Sequence, residues 1–482
     1  MTTQSYVRNH FYIGGQWVAP SSDRRFTLIN ASTEEVLGST PEAVEADVDR
    51  AVVAARHAFE EGPWACSTAA DRKTIMDRFT VALAKRSSEV AKAVSAQNGM
   101  PAAVSEAFEG QVPLGLMNYY AGLASTVEVE EQRPSQLGKE TIVGKSPVGV
   151  VAAIVPWNFP VALAVSKIAP AMAAGCTVVI KPSPGTVLDS YLLADAAHEA
   201  GVPAGVLNWI PADRVAGAHL VAHPGVDKVA FTGSTGAGRA IARVCGELLR
   251  PVTLELGGKS AAIILDDADL DALIAGIPTT SIFNNGQTCY ACTRILAPRS
   301  RYREIVDAVA SLVSGLKLGD ALEPTTQIGP MASAIHRDRV LGYIEQGRRE
   351  GRLVAGGGRP KSLSKGWFVE PTVFADVTND ATIAREEIFG PVLSIIPYTD
   401  EAEAVRIAND SPFGLGGIVW SRDPDRARSV AAKVRTGTIG INGYVPALGS
   451  PFGGIKASGL GREFGPEALA GYLQLKSTYV MG

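Results

Sequence analysis

Histidine is scarce in this chain, with six among 482 residues, so chemistry built on imidazole has few candidates. Of His10, His57, His198, His219, His223 and His336, only His219 and His223 have helical i, i+4 spacing. A solvated helix end explains that pair better than zinc, which needs more ligands than the neighbourhood offers. Charge of one sign is never concentrated: 45 basic and 49 acidic side chains are interspersed and leave a net charge of -4. That excludes the electrostatic footprint of nucleic-acid or anionic-membrane binding and points to small-molecule partners. The five cysteines, Cys66, Cys176, Cys245, Cys289 and Cys292, are odd in number, which fits reduced thiols and not a disulfide framework. Met1-Thr2-Thr3-Gln4-Ser5 lacks a basic stretch followed by an apolar one, so no secretory leader is expected and the expected location is cytoplasmic. One charge-free span, 146–166, is long enough to cross a bilayer. Pro147, Pro156, Asn158 and Pro160 would strand backbone polar groups in lipid, so it is read as buried soluble structure.

What is present is globular composition, 46% apolar and 20% charged, in a chain long enough for two or three domains. Residues 11–18 read as a hairpin with a Gly-Gly turn, and 42–59 and 69–96 as helical. The mixed-charge stretch 127–143 reads as extended, an arm or a surface hairpin, and 471–480 as a partner strand for it. From 148 onward, apolar runs at 150–155, 177–180, 206–210, 228–231 and 252–256 alternate with helical segments at 161–174, 186–200, 214–222 and 237–249. Near-continuous apolar strands separated by helices mean a parallel sheet covered on both faces. A second series follows: strand 261–265, helix 270–284, then strands 294–297, 392–396, 417–420 and 438–441. The expected fold is α/β, with two Rossmann-like parallel-sheet domains and a small β arm. The first domain would take 1–124 and 144–257, the second 258–470, and the arm 125–143 and 471–482.

The residues that stand out lie where strands end, which is where ligands of parallel sheets bind. Cys289 follows Gly286-Gln287-Thr288, polar residues that read as flexible and unlike a core, which marks an exposed and usable thiol. Cys289-Tyr290-Ala291-Cys292 also has the spacing of a redox couple or half a metal site. With so few histidines the natural base is a carboxylate, and Glu255 closes the apolar strand before Gly257-Gly258. Burial there would raise its proton affinity into a useful range, although a strand-end glutamate capping the next turn fits as well. Thr232-Gly233-Ser234-Thr235-Gly236 follows a strand and opens a helix, so its amides are placed to hold a pyrophosphate. Lys181, at another strand end, has the reach for a ribose or phosphate.

Taken together, Pro156-Trp157-Asn158-Phe159-Pro160, Lys181-Pro182-Ser183, Phe231-Thr232-Gly233-Ser234-Thr235, Leu254-Glu255-Leu256-Gly257-Gly258-Lys259, Gly286-Gln287-Thr288-Cys289, Glu386-Glu387-Ile388-Phe389-Gly390-Pro391-Val392 and Pro451-Phe452-Gly453-Gly454 resemble, in order and over essentially the whole length, the aldehyde dehydrogenase superfamily. The resemblance implies that Cys289 attacks the aldehyde carbon, that Asn158 and the Cys289 amide hold the oxyanion, and that Glu255 activates the hydrolytic water. Lys167 resembles a lysine that helps relay the base's proton. NAD or NADP is the implied cofactor, with Lys181 and Glu387 at the riboses, Ser234 at the pyrophosphate and Trp157 and Phe389 packed nearby. Pro156, Ser183, Gly233 and Gly257 complete that set. Leu114, Met117, Phe159, Leu163, Thr288 and Asn442 are the implied substrate residues; Val161 and Ser166 share the helix after Asn158, Ser166 standing where several relatives carry a bulky aromatic. The expected substrate is a hydrophobic, medium-to-large aldehyde.

Two positions depart from the family pattern. Pro184 and Gly185 stand where NAD-preferring members place a glutamate that repels a 2′-phosphate, which leaves NADP open. Gly465-Pro466-Glu467 separates a glycine from a glutamate that often follows it directly. The arm strands imply a homodimer or homotetramer. A CoA-acylating enzyme is the alternative of the same fold, opposed by the Glu255 base. A non-catalytic ligand-binding protein is opposed by the intact Cys289, Glu255 and Asn158 set.

Overall fold

Five apolar strands lie side by side and parallel at the centre of an eight-stranded sheet: Val252–Glu255, Lys228–Thr232, Val150–Ile154, Thr177–Lys181 and Leu207–Trp209. This computed structural model describes residues 6–126 and 129–481. The leader reading at Met1 to Ser5, and the expectations for Val127, Glu128 and Gly482, fall outside the described residues. The hairpin Phe11–Ile13 and Gln16–Val18 extends one edge of the sheet antiparallel, and Gly459–Leu460 closes the other beside Val252–Glu255. The central strands are buried along their whole length, as β-branched runs with helices on both faces must be.

A second, seven-stranded sheet begins at Ala261–Ile264. It runs in the order 352–355, 372–375, 392–398, 294–298, 261–264, 417–420, 440–441, and only its first strand is antiparallel to its neighbour. The chain therefore passes from one sheet to the other between Glu255 and Ala261. Leu473–Val480 pairs antiparallel with Glu140–Pro147 over all eight residues, and Glu130–Arg133 lies on the far side of that strand. A small N-terminal sheet joins Tyr6–Val7, Val36–Pro41 and Arg25–Ile29. Mixed α/β architecture with two parallel-sheet bodies is thus the observed class.

The charge-free span divides into the strand Val150–Ile154, a loop, and the helix Pro160–Ala174. No helix among the described residues is long and apolar enough to cross a membrane. The helix expected over 270–284 stops at Thr280. Asn284 and Asn285 adopt left-handed φ of 49° and 59°, followed by Gly286 at 75°, and three such residues in succession cannot continue a right-handed helix.

Candidate active site

The eight-stranded sheet reverses its winding beside Val150–Ile154: the chain next fills 177–181 and 207–209 on one side, then 228–232 and 252–255 on the other. A crevice opens at the carboxyl ends of strands at such a point. Here it is a cleft of about 470 Å³. One wall comes from the strand ends: Pro156, Trp157 and Asn158, then Ser183, then Gly233 and Ser234, then Glu255 and Gly257. Cys289, Glu387 and Phe389 face them from the second body.

The turn before Cys289 is built from side-chain hydrogen bonds. Asn285 Nδ2 donates to the Gly99 and Pro330 carbonyls at 2.8 and 3.0 Å, and its Oδ1 accepts from the Gly329 amide at 2.7 Å. Gln287 Oε1 accepts from the Ala332 amide at 2.9 Å, and Asn284 Nδ2 donates to the Asn158 carbonyl at 2.9 Å. Asparagine tolerates left-handed backbone better than other side chains, which is why two of them precede the glycine. Asn284, Asn285, Gln287 and Thr288 are all buried, which corrects the reading of this stretch as flexible. Its polarity serves buried backbone partners and not solvent. Thr288 Oγ1 donates to the Phe283 carbonyl at 2.9 Å, so this side chain faces the turn and not a substrate.

Cys289 keeps part of its surface open to the cleft. Burial of the thiol, reinforced by the carboxylates of Glu387 and Glu255, pushes its proton affinity well above the ordinary thiol range. It therefore rests as a thiol and needs a base or a bound cation to become nucleophilic. Cys292 is fully buried in the apolar core of the second body, the inert environment of a structural cysteine.

Asn158 is held at its backbone by Asn98 and Asn284, and its Nδ2 donates to the Gln287 carbonyl at 3.0 Å. One of the two amide hydrogens is thereby committed, and the other remains for an oxyanion in the cleft. Behind Asn158, Glu109 Oε2 accepts from the Val161 and Ala162 amides at 2.7 and 3.4 Å, capping the helix Pro160–Ala174. Burial pushes the Glu109 carboxyl up to about 8.

Glu255 is buried at 3% exposure, and neither carboxylate oxygen has a hydrogen-bond partner among the described residues. Burial, then the neighbouring carboxylate of Glu463, raises its proton affinity far above the ordinary range, with Lys167 and Arg462 opposing. A Cβ on Gly453, whose φ is 153°, would lie 2.5 Å from Glu255 Oε1, so the glycine after Pro451-Phe452 makes room for the carboxylate. Lys167 Nζ donates to Glu463 Oε1 at 2.5 Å and Thr232 Oγ1 at 2.6 Å. Glu463 escaped the sequence reading, which noted only that Gly465-Pro466-Glu467 departs from the pattern in which a glutamate follows the glycine directly. Glu467 is exposed, and the signal was Gly461-Arg462-Glu463, two residues before Gly465.

The rest of the cleft suits an extended anionic ligand. Ser234 caps the 13-residue helix Thr235–Glu247 and lines the crevice beside Gly233, which brings the positive end of that helix to the cleft. A Cβ on Gly233 would press into the Phe231 ring, and one on Gly257 would collide with the Glu387 carboxylate. Glu387 Oε1 accepts from the Gly258 amide at 2.9 Å, and burial pushes its carboxyl up to about 7. His336 and Arg339 were not anticipated. His336 Nε2 lies 2.7 Å from the carbonyl of Phe389, whose φ is 63°, and its ring packs edge-on to Trp157 at 5.2 Å. Nothing local marks it, since it stands in the first turn of the polar helix Ala334–Glu350.

Three expected residues sit elsewhere. Lys181 is buried behind the wall, its Nζ on the Pro182 carbonyl at 3.2 Å and its stem against Gly217; burial brings its ammonium down to about 8. Asn442 is turned away from the cleft: its amide bridges both backbone groups of Ser421 at 2.7 and 2.9 Å, fastening the sheet edge. Ser166 is buried and bonds Glu463. Met117 and Phe159 belong to the large apolar core of the first body, with Leu114 and Leu163 among the partly buried side chains packed against it, and the Phe159 ring packs on Phe108 and Phe283. At the surface pair His219 and His223, Asp49 Oδ1 lies 2.6 and 3.4 Å from the two Nε2 atoms. The Gly225 amide donates to His223 Nδ1, which puts the proton of the neutral ring on Nε2, away from any ligand role.

A thiol, a buried carboxylate and an amide donor around one crevice define an enzyme that works through a covalent thiol adduct. The chain belongs to the aldehyde dehydrogenase family, whose model matches residues 17–478, and its reaction is the oxidation of an aldehyde to the acid. It is 60% identical to a geranial dehydrogenase of Castellaniella defragrans over 98% of this chain and 99% of that protein. It is 42% identical to a 3-succinoylsemialdehyde-pyridine dehydrogenase of Pseudomonas sp. over 98% of each chain. The crystal structure of a Mycobacterium tuberculosis aldehyde dehydrogenase complexed with NAD+ superposes with a TM-score of 0.97, at 47% identity and covering 99% of both chains.

Proposed function

We propose that this enzyme oxidises a hydrophobic, medium-to-large aldehyde, of the size and polarity of an unsaturated terpenoid aldehyde such as geranial, to its carboxylic acid. The Cys289 thiol gives up its proton to water in the open cleft as its sulfur bonds to the carbonyl carbon, and the resulting oxyanion is taken by the free Asn158 amide hydrogen and the Cys289 backbone amide. A nicotinamide dinucleotide held beside Ser234, Gly257 and Glu387 would supply the acceptor for the hydride that leaves that carbon. Water then attacks the thioester, its proton passing to Glu255 while the C–S bond breaks and the acid leaves. The observation that carries hydrolysis is the buried Glu255 carboxylate with no partner on either oxygen: nothing in the protein competes with water for it. That favours hydrolysis over transfer to CoA.

Ser234, the helix it caps, Gly257 and Glu387 would hold the dinucleotide, with Trp157, His336 and Phe389 packed along it. No carboxylate lines the wall at Ser183, Pro184, Gly185 and Thr186, so both NAD and NADP are proposed to bind. The 60% identity to a geranial dehydrogenase supports a hydrophobic substrate, as does the apolar character of Leu114, Phe159 and Leu163 on the segments around Asn158. A homodimer or homotetramer is proposed through the edges of the three-stranded sheet, where Leu475 and Tyr479 are 69% and 72% exposed. Free thiols support a cytoplasmic location. The test is a panel of terpenoid, aliphatic and amino aldehydes with each dinucleotide and with CoA present or absent. Higher kcat/KM for the terpenoid and long aliphatic aldehydes is expected; preference for amino aldehydes, or product only with CoA, overturns the reading.

A further inference from the structure

Ser166 occupies a place that its size does not explain. Its Oγ lies 2.9 Å from Glu463 Oε2 and 2.9 Å from the Leu163 carbonyl, and both Ser166 and Glu463 are buried. The other Glu463 oxygen takes Lys167 Nζ. A hydroxyl has one hydrogen and two lone pairs. When Glu463 is ionised, that hydrogen points at Oε2; when Glu463 is protonated, Ser166 accepts from it and turns its own hydrogen to the Leu163 carbonyl. We propose that Ser166 is a positioning residue that keeps Glu463 hydrogen-bonded in either protonation state, and so sets how readily Glu255 holds the proton taken from water.

The inference rests on Glu255 being the hydrolytic base. The charged and titratable groups around the pair are Lys167, Arg462, Lys228, Tyr120, Tyr472 and, on the cleft side, Cys289, besides Glu255 and Glu463 themselves. Lys167 is saturated by Thr232, Glu463 and the Leu163 carbonyl, so only Ser166 among these bonds can reverse direction. Without its hydroxyl the ionised Glu463 loses a charge-assisted bond and the neutral form only an ordinary, weaker one, so the balance moves towards the neutral form. A neutral Glu463 no longer opposes the charge on Glu255, and Glu255 then ionises at lower pH.

The experiment is Ser166→Ala beside Ser166→Thr and Glu255→Gln, each read by the pre-steady-state burst of reduced dinucleotide and by the pH profile of steady-state turnover. For Ser166→Ala the burst should keep its amplitude, steady-state turnover should fall about tenfold, as for loss of one hydrogen bond to a charged group, and the acid limb should move to lower pH. Ser166→Thr should restore both turnover and limb. If Ser166→Ala keeps the wild-type limb and turnover, or changes only KM for bulky aldehydes, Ser166 is a wall residue and the inference falls. If Glu255→Gln itself keeps the wild-type profile, the base assignment fails and takes the inference with it.

Discussion

The two faces of the cleft follow opposite rules. On the nucleophile's face, Asn284, Asn285 and Gln287 commit their amides to backbone groups of three other segments. On the base's face, Glu255 is equally buried and both oxygens lack a partner. A buried polar group without a partner costs of order 1–3 kcal/mol, more when charged. On the nucleophile's turn only Asn284 Oδ1 bears that cost, while on the base's face both oxygens of the reacting carboxylate do, because the groups do different work. The Cys289 sulfur must be placed; the Glu255 carboxylate must be free to take a water.

Removing the sulfur gives the largest effect. Cys289→Ala should lower turnover by at least about 10⁴-fold, the scale of losing a covalent nucleophile, while dinucleotide binding measured by fluorescence titration is retained. Persistent aldehyde oxidation would end the assignment. Glu255→Gln comes next, and separates the two faces in time: the first hydride transfer should proceed, and the rate should then stall by about 10²–10⁴-fold. A rapid-mixing trace with a burst near one equivalent per site is the expected record. A loss of the burst itself would mean that Glu255 serves the thiol before it serves water.

Much of this contrast was legible in the chain, and the illegible part has physical causes. Cys289, Glu255, Asn158, Ser234 and Glu387 all fall at strand ends or turns, where polar residues interrupt apolar runs and local pattern is informative. Glu463 and His336 reach the site from segments remote in sequence from the apolar strands, one just past a two-residue strand and one on a polar helix. Their roles depend on which segment packs opposite, and that is a property of the fold. Asn442 misled for the same reason: its neighbour in space is Ser421, twenty-one positions earlier. Polarity before Cys289 was read as flexibility, although left-handed backbone needs these residues and burial then obliges them to bond.

The pinned face can be broken without touching the chemistry. Asn285→Ala removes three hydrogen bonds to buried backbone groups and places alanine at a φ of 59°. A loss of about 3–5 kcal/mol is expected, several times the usual cost of a substitution. Thermal unfolding checks it, and Asn285→Gly divides the cause. Glycine relieves the backbone but supplies none of the bonds, so it should recover only a minor share; full recovery would show that strain and not bonding dominates.

The last test concerns Glu109, whose effect appears only as pH changes; it caps the helix behind Asn158 and combines both rules: Oε2 is bonded to two amides, and Oε1 has no partner among the described residues. Its proton affinity in the fold, pushed by burial up to about 8, exceeds that of an unfolded glutamate near 4.3. Between those values the folded state holds a proton that the unfolded chain has released. Stability therefore falls as pH rises through this window, by about 1.4 kcal/mol per pH unit for one such group. Glutamine at 109 cannot ionise, can keep an acceptor for both amides, and escapes this slope. The melting temperatures of wild type and Glu109→Gln should lie close together near pH 5 and diverge in favour of the variant by pH 9. Parallel curves across that range would mean that Glu109 is ionised in the folded protein at neutral pH, and that the two amides outweigh its burial.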